Sequence, residues 1–142
     1  MPKIVLDTNI LLRAIARRSG PSGRLWARRH EFTLCSSNDT IAEFFAVAAR
    51  ASVRAKVAAL TDATVEEMVA ELQGGLCVDS VPEVKACRDP HDDKFIACAL
   101  AAGAQYVVAE DKDLLELDGY EGLRCVSPAE FAQLLEGEDS HV

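Results

Sequence analysis

Four carboxylates occur in similar settings along this chain. Asp7 ends the apolar run KIVL and opens a helical pattern, and Asp111 follows QYVVA in the same way. Glu43 lies early in the apolar helical pattern TIAEFFAVAA, and Asp93 lies in the first turn of DDKFIACALAA. Helical spacing puts Asp93 on one face with Ile96, Ala97 and Leu100, and Glu43 on one face with Ala46 and Val47. Both faces are apolar and are expected to point inward, where an ionised carboxylate is costly unless something pairs with it. No Lys or Arg nearby in sequence serves all four acids. A hard divalent cation bound by oxygen ligands does, and Mg²⁺ or Mn²⁺ fits best. Taken singly, each acid has a plainer reading. Asp7 and Asp111 suit helix N-caps, and Glu43 and Asp93 suit first-turn acids favoured by the helix dipole. Asp113 reads as a solvated neighbour or a second-line ligand, and Asp89-Pro90 and Asp92 read as loop and cap chemistry. The conjunction of the four favours a metal site.

These acids meet only if the elements between them align. KIVL, FTLC, LCV, QYVVA and LRCV read as five short strands, with helical patterns between them. Helices are expected from about 9 to 18, 21 to 29, 38 to 50, 53 to 73 with a break near Thr61-Asp62, 92 to 102, and from Pro128 onward. VPEVKACRDPHD is a turn-rich loop. Such alternation predicts an α/β fold with a mainly parallel sheet. In that fold the C-terminal ends of strands and the N-termini of helices share one edge, so all four carboxylates collect there.

At 142 residues, 49% apolar and 27% charged, the chain predicts one compact domain, residues 1–136, with a polar, frayed tail over 137–142. The net charge of −8 argues against a generic basic nucleic-acid binder. The charge is uneven: residues 1–56 carry ten of the fifteen bases and four of the twenty-three acids, a net +6 against −14 for the remainder. That basic part can present a local phosphate-binding face. The five cysteines form no CxxC pair and suggest buried free thiols in a reducing cytosol. No apolar run approaches the ~20 residues needed to cross a bilayer. The segment MPKIVLD lacks the regions of a signal peptide, so a cytoplasmic protein is expected.

The segments VLDTNILL, RDPHDDKFIACALAAGAQYVV and EDKDLL, with Glu43 between them, resemble the PIN-domain nucleases, and most closely the PIN toxin components of prokaryotic toxin-antitoxin systems. The resemblance spans Lys3 to Phe131. It implies a three-layer α/β/α sandwich around a central, mainly parallel sheet of about five strands, and metal-dependent cleavage of RNA. It implies Asp7, Glu43, Asp93 and Asp111 as catalytic acids. Asp7 and Asp93 are the main metal ligands, Asp111 completes the site directly or through water, and Glu43 holds a second metal or helps to take a proton from water. Thr8 and Asn9 match the polar pair after the first aspartate, with Asn9 orienting Asp7 or a water, and Asp113 lends support. Arg13, Arg17 and Arg18 are expected to guide the RNA backbone, and Lys94 or Lys112 to touch phosphate or lie in solvent. On this reading Asp93→Asn abolishes cleavage and leaves the metal-free fold intact or slightly more stable. An antitoxin protein and a homodimer are family-based expectations.

One departure stands at Ala109-Glu110, where relatives often carry Ser or Thr followed by Gly or Arg. Ala109 leaves open an inactive PIN-like module that binds RNA or a partner. A phosphatase of the haloacid-dehalogenase type would need an acid where Asn9 stands.

Overall fold

The computed structural model describes residues 1–139. Five strands, β1 (Lys3–Leu6), β2 (Thr33–Ser37), β3 (Leu76–Val78), β4 (Tyr106–Val108) and β5 (Arg124–Val126), form one sheet in the order β3-β2-β1-β4-β5. Every pairing is parallel. Around it lie α1 (Thr8–Ala16), α2 (Pro21–Ala27), α3 (Asn38–Ala48), α4 (Ala51–Lys56), α5 (Asp62–Gly74), α6 (Asp93–Ala102), α7 (Lys112–Leu115) and α8 (Pro128–Asp139).

The strands are apolar on both faces because both faces are covered. In β1, Ile4 and Leu6 join the core beneath α1, α2, α3, α5 and α8, while Val5 joins the opposite core beneath α6 and α7. Val108 and Val107 of β4, and Val126 and Cys125 of β5, divide in the same way. This period of two places helices on both sides and makes three layers.

Local chemistry sets the helix ends. Ser37 and Thr40 form a capping box at the start of α3, and Thr61 and Thr64 another at α5. Gly103 ends α6 in the left-handed region at φ 67°. The first helix stops at Ala16, short of the expected end near 18: Arg17 is extended at φ −145°, and its amide still bonds the Arg13 carbonyl at 2.9 Å. Gly23 lets α2 run against this turn, because a Cβ there would sit 2.4 Å from the Arg18 carbonyl oxygen. The segment expected to break near Thr61 does so, as α4 and α5. Helix α8 runs on to Asp139, through the start of the expected tail, and residues 140–142 lie outside the described residues. All five cysteines are free, three buried and two half-buried. No helix among the described residues is long and apolar enough to cross a membrane.

Candidate metal centre

The chain leaves β1 toward β2 and β3 on one side and returns to β4 and β5 on the other. The carboxyl ends of β1 and β4 therefore flank the switch point, where open α/β sheets form a crevice. Leu6 pairs with Val108, and the Asp7 amide bonds the Val108 carbonyl at 3.1 Å. Asp7 thus sits just past the ladder and caps α1, with Oδ1 accepting from the Ile10 amide at 2.9 Å. After β4, Ala109 is fully buried and Asp111 caps α7, its Oδ1 accepting from the Asp113 amide at 2.8 Å. The third contributor is Asp92, the last residue of a 3-10 turn, Pro90–Asp92, that leads into α6.

Asp92, Asp111 and Asp113 each offer a carboxylate oxygen, and the three atoms lie within 4.8 Å of one another. Asp92 Oδ2 is buried without a hydrogen-bond partner. Burial, and then the charges of Asp111, Asp89, Asp113 and Asp7, push the Asp92 carboxyl up to about 7. Asp7 is 3% exposed. Burial is the largest influence on it, the Ile10 amide partly offsets that, and the Asp111 charge adds to it, leaving the carboxyl at about 6. Close carboxylates without a counter-charge hold protons in this way. The donor set is hard and all oxygen, with one orphaned buried atom, and it fits a divalent cation of the Mg²⁺ or Mn²⁺ kind.

Of the acids singled out in the sequence, Asp111 and Asp113 stand in the close group with Asp92, and Asp7 lies near enough for its charge to act on Asp92, whereas Asp93 is not among the three. Asp93 Oδ1 accepts from the amides of Ala86 at 3.1 Å and Cys87 at 2.8 Å. Burial works to raise its pKa, yet the hydrogen bonds from Cys87 and Ala86 outweigh it and leave Asp93 below the ordinary carboxylate range. Asp92, which reads from the sequence as loop and cap chemistry, stands in the cluster with Asp111 and Asp113. The adjacent acids of DPHDDKF were the signal for it.

Glu43 stands beside the cluster, and its charge reaches Asp7. Its two oxygens are engaged: Oε2 accepts from the Thr8 hydroxyl, and Oε1 pairs with Lys94 Nζ at 2.9 Å. Lys94 is therefore an internal counter-charge rather than a solvated lysine. Asn9 supports Asp7 through its backbone amide, and its side chain is exposed. Arg13 pairs with Glu110, while Arg17 and Arg18 are exposed past the end of α1. Lys112 is exposed. Burial first, and then the neighbouring Asp93, push the Cys87 thiol up to about 12, so it supplies no thiolate nucleophile.

No curated protein matches this chain. A family model described as PIN domain matches residues 3–113, from β1 into α7, a stretch that holds every acid of the cluster. The chain belongs to the PIN-domain family of nucleases.

Proposed function

We propose that this protein is a metal-dependent endoribonuclease that hydrolyses RNA phosphodiester bonds at the Asp7, Asp92, Asp111 and Asp113 cluster, using Mg²⁺ or Mn²⁺. The observation that carries the reading is the convergence of Asp92, Asp111 and Asp113 at the sheet's switch point, with Asp92 Oδ2 buried and unpartnered and the Asp7 charge acting on Asp92. A divalent cation held by these oxygens would supply activation of a water and compensation of charge on the scissile phosphate. The chain's own residues do the rest. Asp92, Asp111 and Asp113 supply the oxygens that hold the ion, and Asp7, fixed by the Ile10 amide, closes the site from β1. Asp93 holds the 86–87 backbone against the start of α6 and so aims Asp92. Glu43, held between Thr8 and Lys94, braces the rim where α1, α3 and α6 meet. One cation suits this donor set, and Glu43 serves here as a positioning residue rather than as the ligand of a second ion.

The likeness to PIN toxin components extends the proposal to the toxin half of a toxin-antitoxin pair, with an antitoxin protein as partner and a homodimer as the assembly. Growth arrest on expression, relieved by the product of a small adjacent gene, tests that setting. The central test is a titration of Mn²⁺ and Mg²⁺ into the purified protein while cleavage of a mixed RNA pool is followed. Metal-dependent cutting that Asp7→Asn and Asp92→Asn both lose supports the nuclease. Metal binding without cutting turns the reading to an inactive RNA- or partner-binding module, and neither binding nor cutting refutes the metal centre.

A further inference from the structure

Beside the metal centre, a cavity of about 140 Å³ lies between the end of α1 and the start of α2, lined in part by Arg13, Arg17, Ser22 and Glu110. Its contents differ in sign from the acidic cluster next to it. Arg13 pairs with Glu110, whereas Arg17 forms no ion pair among the described residues. Ser22 is buried, and its hydroxyl has no hydrogen-bond partner. Arg18, one residue on, lines a separate cavity facing α5. The three arginines are thus not equivalent: two are gathered in one concave place and the third is turned away.

The position ties this cavity to the reaction. Glu110 is bonded to Asp111 of the cluster. Arg13 lies six residues along α1 from Asp7, about 9 Å at helical rise. A nucleic-acid strand carries one phosphate per nucleotide, each advancing about 3.4 Å or more along the strand's axis, so a strand with one phosphate at the metal centre brings another to the cavity within a few nucleotides. Its volume is about that of four to five waters, enough for a phosphate group.

We propose that this cavity is a subsite for one backbone phosphate of the RNA strand, held by Arg17 and Arg13 with Ser22 as a neutral donor, and that Glu110 is a latch that competes with the phosphate for Arg13. The proposal rests on the nuclease reading above and assigns a place to the strand beyond the scissile bond. Phosphate entry exchanges the Arg13–Glu110 pair for an Arg13–phosphate pair, so Glu110 weakens binding and disfavours strands that cannot fill the subsite.

The test is binding of a short, 5′-fluorescein-labelled single-stranded RNA by anisotropy, in Ca²⁺ buffers from about 50 to about 300 mM salt, with Mn²⁺-supported cleavage alongside. Arg17→Ala weakens binding roughly three- to tenfold and makes the dependence of log K on log salt shallower by about 0.7, the value of one lost phosphate contact. Ser22→Ala weakens binding with the salt slope unchanged, because the hydroxyl is neutral. Glu110→Gln tightens binding, and the gain disappears in an Arg13→Ala background. In cleavage, these variants move KM and leave kcat near wild type. Wild-type affinity and slope in Arg17→Ala overturn the subsite, and a Glu110→Gln gain that survives Arg13→Ala overturns the latch. A wild-type protein that cuts RNA while all these variants match it refutes the subsite alone. A wild-type protein that neither binds nor cuts RNA refutes the nuclease reading and the subsite with it.

Discussion

Removing the charge from Asp7 should stabilise the metal-free protein. Asp7 is buried at 3% exposure, and its carboxyl stands at about 6 against an ordinary value of 3.8. A shift of about two units corresponds to about 3 kcal/mol of unfavourable interaction in the ionised form. The sign follows from proton binding. With the folded value above the unfolded one, the full stability is present below about pH 4 and is lost as pH rises through about 6. Asn keeps the oxygen that accepts from the Ile10 amide, so Asp7→Asn preserves the cap while deleting the cost of burying the charge and, secondarily, its repulsion with Asp111. At pH 8 in EDTA the variant should exceed wild type by up to about 3 kcal/mol, roughly 10 °C in Tm for a chain of this size. At pH 4.5 the advantage should shrink to about 1 kcal/mol, because wild-type Asp7 is then mostly protonated when folded. Saturating Mn²⁺ should reverse the order, since the cation stabilises wild type by mass action and the variant less. Differential scanning calorimetry at the two pH values, with EDTA and with Mn²⁺, reads all three. A variant no more stable than wild type at pH 8 in EDTA would refute the cost assigned to the buried Asp7 charge, and an advantage of equal size at pH 4.5 would assign it to something other than titration.

Three further perturbations separate the parts of the site. Asp92→Asn should lower metal-dependent cleavage at least about a hundredfold, whereas Asp93→Asn, which keeps an acceptor for the Ala86 and Cys87 amides, should stay within a few-fold of wild type. Asp93→Ala loses both bonds and should cost about 2 kcal/mol in a denaturant melt. Lys94→Met removes the positive charge on Glu43 and should tighten Mn²⁺ binding several-fold by calorimetry, because the rim then carries one more uncompensated acid. Gly23→Ala puts a Cβ about 2.4 Å from the Arg18 carbonyl and should cost about 1–3 kcal/mol in thermal stability, with α2 forced off the end of α1.

The sheet was legible because its strands are buried on both faces. KIVL and QYVVA are continuous apolar runs, the pattern of central parallel strands, and β1 and β4 do pair at the centre. The break near Thr61-Asp62 was legible because the Thr61 cap that starts α5 is a local feature. The end of α1 was less legible. Nothing in AIARRSG forbids two more helical residues; Arg17 leaves the helix where α2 packs back against the Arg17 and Arg18 carbonyls, a close approach beyond the helical repeat that Gly23 permits. Of the arginines expected to guide the RNA backbone, Arg13 and Arg17 line one cavity and Arg18 another, a division that the spacing alone does not reveal.

The choice between Asp92 and Asp93 shows where periodicity stops informing. The face rule assigns Asp93 inward because Ile96 and Ala97 share its side of the helix. In α6, however, Phe95, Ile96, Ala97, Cys98 and Ala99 are all buried, at 4% exposure or less. A helix covered nearly all round has no single apolar face, and the rule then favours neither of two adjacent acids. What decides is the backbone before the helix. The 3-10 turn Pro90–Asp92 advances the chain by three residues per turn rather than 3.6 and turns Asp92 toward Asp111 and Asp113. The loop ending at Cys87 then presents two amides to Asp93, and two amide bonds are worth more to a carboxylate than a place among four like charges. Asp93 therefore keeps its charge at the loop, and Asp92, whose buried Oδ2 has no partner, is the acid available to the proposed metal centre.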